Sequence, residues 1–273
     1  MDKKITLYAA ISSLIWGASF PVTKIALNGI SPIMLAFLRY GLAGLILIPF
    51  LFPFNIKIKD FIILGLFSVT FPTVLQNFGL KYTHAYISGF IQSTGPLYTL
   101  ILAYLLLKEK ITKQKIIGLT VALSATYFVV SPGGGGNLFG NLLVLLSAIS
   151  YSVGGIVAKN LLNKGYRAIQ ILSFSSFSGT IFLAPCLLLE KIEIAYESVA
   201  IAVFLAIITT IFAYILWYSA MEKIEVSKLS FFTYMMPLFS VIFSGLILDE
   251  KIKILTIFAG FVAITGILIA QQQ

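Results

Sequence analysis

A long run without charge constrains this chain more than any other feature. From position 116 to position 158 the sequence contains no Asp, Glu, Lys or Arg, and within that run positions 131–137 are Ser-Pro-Gly-Gly-Gly-Gly-Asn. Proline followed by four glycines does not support a helix, so we expect a turn there. Two apolar segments joined by a turn are typical of membrane-spanning helices. The run therefore predicts an integral membrane protein.

The composition excludes several other classes. Hydrophobic residues make up 59% of the chain and charged residues 11%, against roughly 25% charged in a soluble domain. The lysines lie in short clusters between apolar runs and not on a basic face with interleaved aromatics, so we expect no nucleic-acid partner. One cysteine and one histidine leave no intrachain disulfide and no metal-ligand cluster. We therefore expect no metal, no cofactor and a lipid bilayer as the surroundings.

Ten apolar segments are suited to crossing a bilayer, which takes about 20 helical residues. They are 5–27, 32–52, 61–80, 85–107, 116–131, 138–159, 168–189, 198–221, 229–248 and 254–271. The fifth is short and spans only if Lys113 and Lys115 extend to the headgroups. The runs are too long, and alternate too little, for barrel strands. The sequence thus predicts an all-α membrane protein with ten transmembrane helices.

The basic residues indicate the orientation. With the N-terminus in the cytoplasm, 13 of the 19 Lys and Arg residues fall in cytoplasmic segments and 4 in outer loops. The other two, Lys24 and Arg39, fall within or at the edge of spans. By the positive-inside rule both termini are cytoplasmic. We expect the plasma (inner) membrane of a prokaryote.

The two halves of the chain share one pattern. Pro96 and Glu109 recur after 141 positions as Pro237 and Glu250. We predict a first repeat over 1–131 (spans 1–5) and a second over 138–273 (spans 6–10), joined by a Gly-rich loop at 132–137. Because five is an odd number of spans, the second repeat enters the membrane from the opposite side. Inverted repeats are typical of secondary transporters, whose substrates bind near the bilayer midplane.

An ordered set of short motifs carries a resemblance to a known family. It comprises Trp16-Gly17 with Phe20 and Lys24, Ser31-Pro32, Leu38-Arg39-Tyr40, Glu109-Lys110 with Gly118, and Glu250-Lys251 with Gly260. With these motifs the chain resembles, over nearly its whole length, the EamA-type family of the drug/metabolite transporter (DMT) superfamily. The resemblance implies two inverted five-helix repeats around a central cavity, which the first four helices of each half line. It also implies export or exchange of small metabolites, often amino acids or related compounds.

The second repeat departs from the motif pattern at two positions. Tyr151 stands where the first repeat has Trp16, and Phe174 stands opposite Arg39. Only the first repeat therefore offers an arginine at this depth. We expect an asymmetric site, to which the first half contributes more.

Arg39 is the most informative single residue. It lies seven positions after Pro32, roughly 10 Å into the membrane at 1.5 Å per helical residue. A charge at such a depth costs about 2.5–3.5 kcal/mol, so it should face protein or water. Two interpretations stay open. Arg39 binds a substrate carboxylate or phosphate, or it is a structural tie to a helix-end carbonyl or to Tyr40.

Polar and aromatic residues within spans complete the predicted substrate-binding set, because buried polar groups need partners and point away from lipid. That set is Trp16, Ser19, Thr23, Arg39, Gln76, Asn77, Gln92, Tyr214, Trp217 and Tyr234. For each residue taken singly, ordinary inter-helix packing is the alternative.

Four further residues are candidates for gating. Lys24 and Lys159 either extend to the headgroups or form a charged gate at each end, related by the repeat. Pro96 and Pro237 free a carbonyl and kink their helices, which suits a hinge. Small residues at every fourth position of span five favour close packing within the chain or a homodimer contact through spans 5 and 10.

The sequence predicts a carrier that moves small organic metabolites by alternating access without ATP. All ten acidic residues lie at or near span ends, which favours a facilitator or exchanger over a proton-driven antiporter. The glycines at 133–136 lack a following Lys-Ser/Thr, so no nucleotide-binding loop is indicated. A membrane-embedded enzyme, for which one histidine and one cysteine are a poor set, and a channel or scramblase are the alternatives.

Overall fold

The computed structural model describes residues 2–130 and 136–271, and within them it contains ten long helices. Their bounds are α1 Lys3–Ala26, α2 Pro32–Leu51, α3 Ile58–Tyr82, α4 Ala85–Leu107, α5 Lys113–Val130, α6 Leu138–Asn163, α7 Ala168–Leu189, α8 Tyr196–Met221, α9 Val226–Leu248 and α10 Ile254–Gln271. Each corresponds to one predicted span. Of the predicted loop at 132–137, positions 132–135 lie outside the described residues.

Nine of the ten helices in the described ranges are long and apolar enough to cross a membrane, and α5 is the exception. Its first turn carries Lys113 and Lys115. The expectation that Lys115 extends to the headgroups is wrong. Its side chain is buried, and its ammonium group donates to the Glu225 carboxylate at 2.7 Å and to the Ser227 hydroxyl at 2.8 Å. Lys115 is therefore paired with an acid at the start of α9 and does not lie at the lipid surface.

Corresponding helices of the two halves run in opposite directions. In the α2/α7 pair, Ser173 near the start of α7 donates to the carbonyl of Leu47 near the end of α2 at 2.8 Å. In the α5/α10 pair, Gly118 near the start of α5 lies against Ala270 at the end of α10. Two counterpart pairs in antiparallel contact confirm the inverted arrangement of the repeats.

Irregular turns also repeat between the halves. Both α3 and α8 contain a π-helical turn, at Gly65–Thr70 and Leu205–Phe212. The α4 helix is interrupted at positions 93–94, just before Gly95-Pro96, and α9 contains a 3₁₀ turn over Phe231–Met235, just before Met236-Pro237. Because a proline cannot donate a backbone hydrogen bond, the helix before it is free to tighten or break. These four interruptions lie in helices that line the central cavity described below.

The α5 and α10 helices pack closely on each other through small residues. A Cβ atom added at Gly266 would lie 2.5 Å from the Gly118 carbonyl oxygen and 2.9 Å from the Ala122 side chain. The small-residue face of α5 is thus occupied by α10 of the same chain. The homodimer through spans 5 and 10 stays a prediction, and it would have to use the opposite faces of these helices.

Candidate substrate cavity

A cavity of about 130 Å³ lies between the two repeats. Its walls come from α1 to α4 of the first half and from α6, α8 and α9 of the second, while α5, α7 and α10 supply none of the described lining residues. It extends along the bundle to Met221 at the end of α8 and Val226 at the start of α9.

Seven of the ten predicted substrate-binding residues line this cavity. They are Trp16, Ser19, Arg39, Gln76, Gln92, Tyr214 and Trp217, and the predicted hinge residue Pro96 lines it too. They come from five different helices, so tertiary packing and not sequence proximity brings them together. Their contact with a substrate stays a prediction.

The other three predicted substrate-binding residues lie outside the lining. Asn77 donates from its side-chain nitrogen to the Pro32 carbonyl at 2.9 Å, which ties α3 to the start of α2. Thr23 is buried near the end of α1. Tyr234 is buried and packs against Phe231, with ring centroids 6.0 Å apart. For these residues the structure favours the packing alternative.

Four aromatic rings form one wall of the cavity. The ring of Trp16 lies 4.8 Å from that of Tyr214 and 5.0 Å from that of Trp217, and Tyr214 lies 5.6 Å from Tyr218. The tilted geometries are those that aromatic pairs prefer. The indole nitrogen of Trp16 donates to the Thr209 carbonyl at 3.0 Å, within the π-helical turn of α8. This bond fixes the orientation of the indole, and the wall offers a flat apolar surface.

Arg39 bonds to Thr210, which follows Thr209 in the same π-helical turn of α8. Its Nε donates to the Thr210 hydroxyl at 2.6 Å, and its guanidinium carbon lies 5.2 Å from the centre of the Tyr40 ring. The residue is 5% exposed and lines the cavity. Its counterpart, Phe174, is fully buried and packs edge-on against Phe54. Of the two positions, only Arg39 brings a positive charge to the cavity.

Several lining residues were missed from sequence. Tyr151 and Ser152 of α6 line the cavity, and Tyr151 is hydrogen-bonded to Thr73 at 3.3 Å. A signal was available, because Tyr151 stands opposite Trp16 in the repeat alignment. Ser68 also lines the cavity, and its buried hydroxyl has no hydrogen-bond partner among the described residues. Nothing in the sequence distinguishes Ser68 from the other serines within spans.

One carboxylate caps a helix of the opposite repeat at each end of the bundle. Glu109, after α4, accepts from the backbone nitrogens of Val226 at 2.8 Å and Ser227 at 3.0 Å, an arrangement we call the α9 cap. Glu250, after α9, accepts from those of Ala85 at 3.0 Å and Tyr86 at 3.4 Å, which we call the α4 cap. Anions at helix N-termini satisfy free backbone donors and are favoured by the helix dipole. The two caps join the repeats at opposite ends of the bundle.

The predicted gate lysines lie at these two ends. Lys24 donates to the Thr83 carbonyl at 2.6 Å and approaches Glu250 of the α4 cap at 3.3 Å. Lys159 is buried beside the α9 cap and donates to the carbonyls of Met221 at 2.7 Å and Ile224 at 2.9 Å. Both ammonium groups are bonded to acceptors within the protein, and their role as gates stays a prediction. Pro237 lies in α9 outside the cavity lining, one residue after Met236, which does line it.

Comparison with known proteins decides the family. The model of the EamA-like transporter family matches residues 3–131 and again residues 138–271. This chain belongs to the EamA-like transporter family. A protein of Archaeoglobus fulgidus described as an uncharacterized transporter is 30% identical over 100% of both chains. The uncharacterized transporter YetK of Bacillus subtilis is 29% identical, covering 97% of this chain and 85% of its own length.

Two further similarities bear on this EamA protein. A probable amino-acid metabolite efflux pump of Escherichia coli is 22% identical over 98% of this chain and 95% of its own length. A solved crystal structure superposes with a TM-score of 0.78 at 16% identity, covering 99% of this chain and 97% of the other, and it supports the fold alone. The family assignment makes the chain a membrane transporter with two EamA repeats and not an enzyme, and so implies a small-molecule substrate.

Proposed function

We propose that this transporter moves small organic metabolites, amino acids or related compounds, across a prokaryotic plasma membrane by alternating access without ATP. Its direction is export or exchange, and both termini face the cytoplasm, as the distribution of lysines favours. The observation that carries the proposal is a cavity between inverted repeats, with a matched carboxylate cap at each end of the bundle. A carrier needs two such closures, because it must open to one side of the membrane at a time.

The caps suit the role of gates. Each cap bonds the end of one repeat to the start of a helix in the other, so rocking of the repeats breaks one cap while the other persists. Lys24 and Lys159 reinforce the ends at which they lie. Pro96 and Pro237 follow the interrupted segments of α4 and α9, which provide bending points. We assign the four residues to gating on these grounds.

The substrate class rests on the lining and on one relative. The cavity combines a guanidinium, side-chain amides and a wall of aromatic rings, which together suit a molecule with one polar and one apolar part. The Escherichia coli relative described as a probable amino-acid metabolite efflux pump supports metabolites of this kind. Its 22% identity is too low to transfer a particular substrate.

A counterflow assay in proteoliposomes tests the proposal. Vesicles that contain the purified protein are loaded with one unlabelled amino acid or nucleotide-type metabolite at a time and diluted into a trace of the labelled compound. A carrier transiently accumulates label and saturates with concentration. Protein-free vesicles and vesicles with the Arg39→Ala variant are the controls. Flux that neither saturates nor shows counterflow would indicate a channel or scramblase and would contradict the proposal.

A further inference from the structure

The charge balance of the cavity restricts what it can bind. Its described lining residues include one permanently charged side chain, Arg39, and no Asp or Glu. None of the ion pairs among the described residues involves Arg39. The undescribed positions contain no acidic residue either. The protein therefore leaves a buried guanidinium without a counter-charge.

A buried charge of this kind is normally paired, because its desolvation is otherwise uncompensated. Among the described residues, Arg39 finds a hydrogen-bond acceptor for its Nε alone, in the hydroxyl of Thr210. The terminal nitrogens of a guanidinium present parallel donors that match two oxygens of a carboxylate or phosphate. The Thr210 bond orients the side chain and leaves those donors for a ligand in the cavity.

Trp16, which is part of the aromatic wall, is anchored beside Arg39. Trp16 bonds to Thr209 and Arg39 bonds to Thr210, so consecutive residues of one π-helical turn position the ring and the cation together. Turns of this type occur frequently at functional sites. A ligand that binds both must therefore carry its anionic group close to a flat apolar group.

We propose that the substrate is an organic anion, a carboxylate or phosphate joined to a flat apolar group, and that it supplies the counter-charge that Arg39 lacks. The inference rests on the proposed transport function and narrows its substrate class. A cationic group on the substrate is not required, because no carboxylate lines the described cavity to receive it.

A matched series of benzene derivatives tests the charge requirement. Phenylacetate, phenyl phosphate and phenylalanine carry an anionic group, whereas phenylacetamide is neutral and phenethylamine is cationic. Binding to the purified wild-type protein is measured by isothermal titration calorimetry. We expect the three anionic compounds to bind at least about tenfold more tightly than the amide and the amine. The ratio of phenyl phosphate to phenylacetate affinity distinguishes the two anion chemistries.

Variants of Arg39 and its partner assign the preference to this site. Arg39→Gln should reduce the ratio of acid to amide affinity to about one, and Thr210→Val, which keeps the charge, should lower the affinity for acids while retaining the preference. Arg167, the other arginine of the chain, is exposed, so Arg167→Gln is a matched control that should bind like wild type. Wild-type protein that binds none of the three anionic compounds, or that binds the amide as tightly as it binds them, would overturn the proposal.

The binding assay is independent of transport. Selective binding of acids without counterflow for any compound would overturn the transport function and leave the anion site standing. Counterflow of amines or amides with no preference for acids would overturn the anion site alone. An acid preference that persists in Arg39→Gln would also contradict it.

Discussion

Glu109 and Glu250 make equivalent bonds at opposite ends of the bundle. Glu109 accepts from the backbone nitrogens of Val226 and Ser227, and Glu250 accepts from those of Ala85 and Tyr86. Donors and acceptors are both related by the same shift of 141 positions. Each repeat therefore caps one helix of the other repeat, and the bundle has two equivalent caps built from the same residue type.

The ion pair at the α4 cap should contribute measurable coupling energy. Lys24 and Glu250 are 3.3 Å apart, and the Glu250 side chain is 7% exposed. In a double-mutant cycle with Lys24→Met and Glu250→Gln we expect about 1 kcal/mol of coupling, because a partly buried pair is less screened than a surface pair. The free energy of unfolding in mixed micelles is the measurement.

The Lys164–Asp60 pair provides the matched control for this cycle. It is 3.7 Å apart, and the lysine side chain is 46% exposed. An exposed pair of this kind contributes about 0–0.5 kcal/mol. If the effects of Lys24→Met and Glu250→Gln on the free energy of unfolding are additive, with a coupling energy no larger than that of the control cycle, the pair does not stabilise this end.

Close packing of α5 on α10 makes Gly266 intolerant of a side chain. Its added Cβ would meet the Gly118 backbone at 2.5 Å, whereas the nearest atom to a Cβ at Gly260 of the same helix is 3.6 Å away. We expect Gly266→Ala to destabilise the protein by about 1–3 kcal/mol, the usual cost of overpacking. Gly260→Ala should change stability by less than about 0.5 kcal/mol, as unstrained substitutions do. Equal thermal midpoints for the two variants would contradict this packing.

The unpaired charge on Arg39 predicts a preference for exchange over net flux. Closing an empty cavity buries an uncompensated cation, which costs several kcal/mol, whereas a bound anion compensates it. Labelled phenylacetate should leave loaded proteoliposomes at least about tenfold faster when unlabelled phenylacetate is outside than when it is absent.

The same flux ratio in two variants shows whether Arg39 causes the preference. It should fall to about one in Arg39→Gln, since closing the empty cavity then buries no charge, and stay unchanged in Arg167→Gln. If Arg39→Gln retains the wild-type ratio, the charge does not control closure.

Much of the fold follows from hydropathy alone. A membrane span must satisfy its backbone internally, so each long apolar run predicts a helix. An odd number of spans per repeat inverts the second copy, as the antiparallel contact of Leu47 with Ser173 confirms. The first turn of α5 was misinterpreted, because an acid as distant along the chain as Glu225 cannot be paired with Lys115 from sequence.

The cavity was predicted less completely, because residue type does not show which face of a helix is turned toward the cavity. Asn77 and Gln76 are adjacent amides, yet Gln76 lines the cavity and Asn77 bonds to the Pro32 carbonyl. The helix interruptions before Pro96 and Pro237 also change which residues share a face. Both caps were visible in the sequence only as repeated Glu-Lys pairs, since their backbone partners lie in the opposite repeat.

Alternating closure of the two ends is the central claim, and it is tested most directly by the accessibility of one cavity residue from each side. In a Cys186→Ser background, Gly155→Cys places a thiol in the cavity lining, since a Cβ atom added at Gly155 meets no other atom within 4 Å. A membrane-impermeant thiol reagent is then added to right-side-out and to inside-out vesicles.

Each cap variant should favour opening of its own end. Loss of a charge-assisted cap of about 1.5 kcal/mol shifts the two-state balance roughly tenfold. We expect Glu250→Gln to speed labelling from the side of the α4 cap and to slow it from the other side, and Glu109→Gln to do the reverse. Variants that speed labelling from both sides together, or from neither, would contradict alternating closure.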